Sequence, residues 1–165
     1  MKRNPTSRFL LRERWPTKNV LLDTCVLIDY LGGKPPFFDD AQRVLAAGYF
    51  GDAKLWVSAQ SLKDAFYVLR KYVGSQAAQG VIEAVCEVVV PVDTTASDAL
   101  RALRLRWDDY EDCMVSVCAA KAGADYLVTR DVKGFERSST PAITPTAWLG
   151  LMRKAGMTYD ALDLD

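Results

Sequence analysis

The chain has 165 residues, 21 Lys+Arg against 21 Asp+Glu, half of its residues hydrophobic, and no histidine. That size and balance fit a single globular domain with its own core, and leave no global positive charge to mark a nucleic-acid binder. The missing histidine excludes Ser-His-Asp and Cys-His catalysis, and no apolar run reaches the ~18 residues of a membrane span.

In chain order, residues 1–18 form a basic extension, with Lys2, Arg3, Arg8, Arg12, Arg14 and Lys18 against Glu13. Such an arm is a nucleic-acid contact or a solvated terminus. It lacks the long apolar stretch of a secretory signal. Cys25, Cys86, Cys113 and Cys118 form no C-x-x-C pair and no zinc spacing. They fit reduced, buried thiols of a cytoplasmic protein.

A continuously apolar strand is predicted over 19–23, then a helix over 24–31 ended by Gly32-Gly33. A second helix is expected over 38–47 and ended by Gly48, then a strand over 55–58. Helices follow over 61–73, where Leu62, Phe66, Leu69 and Val73 keep a helical spacing, and over 76–87. Residues 88–92 read as a buried strand with Pro91 near its end. Helices over 95–106 and 111–122 precede a strand over 126–129. A short strand at 142–143 leads to a closing helix with Pro145 in its first turn. The pattern is α/β, a three-layer α/β/α domain with a central parallel sheet over 19–152, followed by a tail over 153–165. The tail ends in the acidic run Asp160-Ala161-Leu162-Asp163-Leu164-Asp165.

Ligands of such sheets bind outside the carboxyl ends of the strands. Asp23 and Asp131 fall at those ends, while Asp64 and Asp112 are expected to open helices. Each has a structural explanation. Asp23 fits a helix N-cap, Ser61–Asp64 and Asp109–Asp112 resemble capping boxes, and Asp131 fits an Asx-turn. Their placement across the whole chain at strand ends and helix starts is not explained that way. Brought together, these carboxylates repel one another unless a divalent cation sits among them. A set of hard oxygens without nitrogen suits Mg²⁺ or Mn²⁺ better than Zn²⁺. Phosphodiesters are then the expected substrate class. No Walker loop and no dinucleotide-binding glycine motif is present.

These carboxylates lie in four sequence motifs. They are Val20-Leu21-Leu22-Asp23-Thr24-Cys25-Val26-Leu27-Ile28-Asp29, Val57-Ser58-Ala59-Gln60-Ser61-Leu62-Lys63-Asp64 and Asp109-Tyr110-Glu111-Asp112-Cys113. The last is Gly123-Ala124-Asp125-Tyr126-Leu127-Val128-Thr129-Arg130-Asp131, followed by Lys133-Gly134-Phe135. In this order they resemble the motifs of PIN-domain proteins, the ribonuclease fold of VapC-type toxins, and the resemblance runs from about residue 19 to 151.

It implies a Mg²⁺- or Mn²⁺-dependent endoribonuclease acting on single-stranded RNA, with Asp23, Asp64, Asp112 and Asp131 in the site. Asp23, Asp112 and Asp131 would hold metal. Thr24, Ser58, Asp109 and Thr129 would support them, and Lys63, Arg70, Arg130 and Lys133 would meet substrate phosphates. Cys25 stands where the family usually has asparagine, and Asp64 where many members carry glutamate. An antitoxin partner and a homodimer are implied, the latter also by Phe37, Phe38, Tyr49, Phe50 and Trp56 on or near the early helices. The alternative is a PIN-fold module that binds nucleic acid or protein without cutting. A structure-specific DNA nuclease is the third reading.

Overall fold

Apolar strands alternating with amphipathic helices bury both faces of a sheet only if the strands run parallel and the helices cover both sides. The computed structural model describes residues 16–159. In it β1 (Lys18–Leu22), β2 (Ala53–Ser58), β3 (Val89–Val92), β4 (Tyr126–Val128) and β5 (Ala142–Ile143) form one five-stranded sheet. The strand order is β3-β2-β1-β4-β5 and every pairing is parallel. In register, Leu22 lies opposite Val57 on one side and Val128 on the other. The arginines of the basic extension and the acidic run after residue 159 lie outside the described residues.

Seven α-helices surround the described sheet: α1 (Thr24–Leu31), α2 (Phe38–Tyr49), α3 (Ala59–Val73), α4 (Ser75–Val85), α5 (Ala96–Leu105), α6 (Tyr110–Lys121) and α7 (Pro145–Lys154). A 3₁₀ turn covers Lys133–Phe135. Strand alternation assigns the layers. Val20 and Leu22 face a core built with α1, α2, α3, α4 and α7, while Leu21 and Leu127 face Val115, Cys118 and Ala119 of α6. Helix α5 packs outside α6 through Ala102, Met114 and Val117. The core reaches beyond α7, because Met157 and Tyr159 are buried in it. All four cysteines are free thiols. Among the described residues no helix is long and apolar enough to cross a membrane.

Three sequence expectations are corrected. Gly48 does not end α2, which runs through it to Tyr49. A Cβ at Gly48 would stand 2.5 Å from Leu55 Cδ1, so this glycine lets the helix approach β2. Strand β3 is a sheet edge rather than a buried strand, with Val90 and Pro91 exposed. Helix α3 begins at Ala59, capped by the Ser58 hydroxyl on Gln60 N. Asp64 therefore lies in the second turn and does not open the helix. The buried line of α3 is Ser61, Ala65 and Leu69, and Val73 is exposed.

Candidate active site

The sheet order reverses direction at β1, whose two neighbours are β2 and β4. That switch point opens a crevice beyond the carboxyl ends of β1 and β4. Asp23 follows β1 directly and is 6% exposed. It occupies the N-cap position of α1, yet its side chain makes no capping bond. Its Oδ2 instead accepts from the Thr129 hydroxyl at 2.7 Å and from the Cys25 thiol at 3.1 Å. Thr129, at the end of β4, also accepts from Asp131 N at 3.0 Å. One buried hydroxyl thus ties together the two loops that carry Asp23 and Asp131.

Asp131 Oδ1 accepts from Gly134 N at 3.1 Å, closing an Asx-type turn. A Cβ at Gly134 would stand 2.8 Å from Asp112 Oδ2 and 2.9 Å from Asp131 Oδ2. The two carboxylates therefore share the small volume beside this glycine. Asp112 is held there by the start of α6, where Asp109 caps the helix by accepting from Asp112 N at 3.0 Å.

The electrostatics show the crowding. Burial pushes the Asp112 carboxyl up to about 6, helped by the charges of Asp109, Asp23, Asp131 and Glu111. Glu111 is raised by desolvation first, then by Asp64, Asp109 and Asp23, with the Thr24 hydroxyl working against the rise. Glu111 is thus part of the acidic group, although sequence reasoning did not single it out. Asp64 reaches the same group from α3 and pairs with Lys63 at 3.2 Å. The Thr24 and Ser61 hydroxyls, hydrogen-bonded at 2.7 Å, join α1 to α3 beneath it. The Cys25 thiol is pushed up to about 12, by burial and then by Asp23, so it stays a neutral donor.

The cations expected to meet substrate have different surroundings. Arg130 donates from Nε to Asp29 at 2.7 Å and lies over the Phe37 ring. Asp29 is 1% exposed. Burial raises its carboxyl, and Arg130 opposes that rise. Arg130 is therefore committed to a buried partner, whereas Lys133 is exposed on the 3₁₀ turn beside Gly134. Arg70 stands over the Tyr67 ring on the outer side of α3.

Among the described residues, no group of three or more Asp, Glu or Cys side chains is arranged so as to hold a metal ion. The acidic group is an open set of oxygens under mutual repulsion, a donor set whose chemistry fits a hard dication and not a soft one.

A three-layer α/β/α domain with carboxylates gathered at the switch point of its parallel sheet is the class of protein these features define. The model of the PIN domain family matches residues 19–133, and the chain belongs to that family. Its fold is also that of solved VapC-type structures. It superposes on Mycobacterium tuberculosis VapC20, described as a sarcin-ricin loop cleaving toxin, with a TM-score of 0.54 and 18% identity. That match covers 66% of this chain and 86% of that one. VapBC-1 from nontypeable Haemophilus influenzae gives a TM-score of 0.59 at 17% identity, covering 78% and 98%. A toxin–antitoxin complex from Klebsiella pneumoniae gives 0.57 at 20%, covering 76% and 97%. At these identities the likeness shows the fold alone. No curated protein matches the chain by sequence.

Proposed function

We propose that this PIN domain is a Mg²⁺- or Mn²⁺-dependent endoribonuclease that hydrolyses phosphodiesters in single-stranded RNA, and that it is the toxin of a toxin–antitoxin pair. The observation that carries the reading is the meeting of Asp112 and Asp131 beside Gly134, with Asp23 electrostatically coupled to Asp112. Asp23, Asp112 and Asp131 would hold the metal. When bound, it would supply a Lewis acid that lowers the pKa of water and offsets charge on phosphoryl oxygens.

The chain's own residues do the positioning. Thr129 and Cys25 both donate to Asp23 Oδ2 and hold that carboxylate in place at the end of β1. Asp109 fixes the first turn of α6 and hence Asp112. Asp64 and Glu111 add two more carboxyl groups to the cluster, whose crowding a cation would relieve. Asp64 is one methylene shorter than glutamate and acts through water in this reading.

An antitoxin partner is supported by the solved neighbours that are toxin–antitoxin complexes. An apolar groove of about 440 Å³ between α1, α2 and α4, lined by Tyr30, Leu45, Tyr49, Val81 and Val85, suits an amphipathic segment of such a partner. Homodimerisation belongs to the same proposal. Of the residues that suggested it, Phe37 and Tyr49 are exposed, while Phe38, Phe50 and Trp56 are half-buried.

Cys25 favours a second reading, a PIN-fold binding module that does not cut, because a thiol replaces the amide the family usually places beside Asp23. One experiment decides between them. Wild type and Asp112→Asn from the same purification are incubated with mixed-sequence RNA and Mn²⁺ or Mg²⁺. Wild type should cut, and Asp112→Asn should be slower by orders of magnitude. Equal cleavage by both would assign the activity to a contaminant. No cleavage by wild type under either metal would favour the binding module.

A further inference from the structure

Helix α3 carries an exposed stripe that the carboxylate pocket does not use. Lys63, Tyr67, Arg70 and Lys71 recur at intervals of three and four residues, which aligns them on one helix face over about 12 Å. All of them are exposed, Tyr67 by 50%. The Arg70 guanidinium lies 4.8 Å from the Tyr67 ring centre and 5.9 Å from that of Phe66. Phe66 meets Tyr67 edge-on at 5.6 Å. The tyrosine ring is thus braced on the surface instead of packed into the core, and it costs little further ordering to use it as a contact. At the pocket end of the stripe, Lys63 pairs with Asp64, whose charge is felt by Glu111 within the acidic group.

We propose that this face of α3 is a stacking platform for an unpaired RNA base, with Tyr67 and the Arg70 plane holding the base and Lys63 and Lys71 meeting the flanking phosphates. The strand would then run from α3 into the carboxylate pocket. This rests on the nuclease reading for its direction, while the platform itself is a matter of binding. The acidic crevice repels a polyanion, and a chain of zero net charge supplies no general attraction to offset that. Local cations beside the crevice are what let the polyanion approach. Alternation of cations with an exposed aromatic ring is the chemistry of single-strand binding, in which stacking accepts any base and duplexes are excluded because their bases are already stacked. An apolar protein helix would find charges at each turn of this face, whereas the groove between α1, α2 and α4 offers it a continuous apolar lining.

The test is fluorescence anisotropy with a labelled mixed-sequence single strand of about a dozen nucleotides, in an Asp112→Asn background with Mg²⁺ so that the probe stays intact. Tyr67→Ala should weaken binding about tenfold, Tyr67→Phe should bind within about twofold of the parent, and Arg70→Lys should weaken it several-fold though charge is kept. The same sequence as a duplex should be insensitive to Tyr67→Ala. Tyr67→Gln serves as the second variant if the alanine form melts early. Binding unchanged in Tyr67→Ala and Tyr67→Gln overturns the platform. So does an equal loss for duplex and single strand, or a change of oligomeric mass in place of a change in RNA affinity. Cleavage by wild type is scored separately. Tyr67-dependent binding without cleavage keeps the platform and removes the nuclease reading, and cleavage with Tyr67-independent binding does the reverse.

Discussion

Gly134 is where two carboxylates and a backbone turn meet, and it makes the site sensitive to a single methyl group. Gly134→Ala should cost little stability, since Asp112 and Asp131 can swing aside, yet it should erase most of the melting-temperature rise that the proposed metal binding predicts for Mn²⁺. An undiminished rise would show that those oxygens are not the ones a cation uses. Asp112 gives a second handle. Its folded pKa of about 6 lies above the ordinary 3.8. The penalty for charging it is therefore fully present above about pH 6 and is relieved as pH falls toward 3.8. In metal-free melts Asp112→Asn should be the more stable protein at about pH 7, and wild type should close that gap by about pH 4.5. Parallel pH profiles for the two proteins would remove the claim. The strand-end carboxylates Asp23 and Asp131 were legible in the sequence because an apolar run that stops at an acid names its own edge. Glu111 was not, because an acid in the first turn of a helix is already accounted for by the helix dipole. Only its distant neighbours Asp64 and Asp23 reveal its place.

Helices and strands were legible where local chemistry agreed with packing. Thr95 caps α5 in a reciprocal box with Asp98, Thr144 caps α7 ahead of Pro145, and both ends fall close to where the sequence puts them. The misreadings occurred where a tertiary contact overrides a local preference. Gly48 looked like a stop signal, and it is a contact glycine against Leu55, which is 1% exposed. Helix propensity alone would favour Gly48→Ala by ~1 kcal/mol. The crowding against Leu55 should reverse the sign and leave the variant about 1–3 kcal/mol less stable by urea denaturation. A midpoint equal to or above wild type would show that α2 can shift away from β2 at no cost. In β3, Val88 to Val92 looked buried because valine runs do, whereas strand order makes it an edge with only β2 as partner. Edge position is a property of the whole sheet and leaves no mark on five consecutive residues.

A cation held by the acidic group would stabilise the whole molecule as one unit. At metal concentrations about a hundredfold above the dissociation constant, binding to the folded state alone should raise the melting temperature by roughly 5–10 °C. Asp23→Asn should abolish most of that rise. A melting curve indifferent to millimolar Mn²⁺ would remove the pocket's function, whatever its shape. Light scattering at micromolar concentration tests the dimer, and a mass of one chain would remove it. The hydroxyl relay through Thr129 has a further consequence, for the order in which the protein is made. Asp23 is made first, and the hydroxyl that orients it and the aspartate that completes the pocket come 106 and 108 positions later. Nearly the whole sheet has to be synthesised before the acidic group exists. A truncated or nascent chain that stops short of β4 carries Asp23 without Thr129 or Asp131, so it should neither bind the cation nor act on RNA. The acidic group is thereby withheld until β4 and the loop after it have been made.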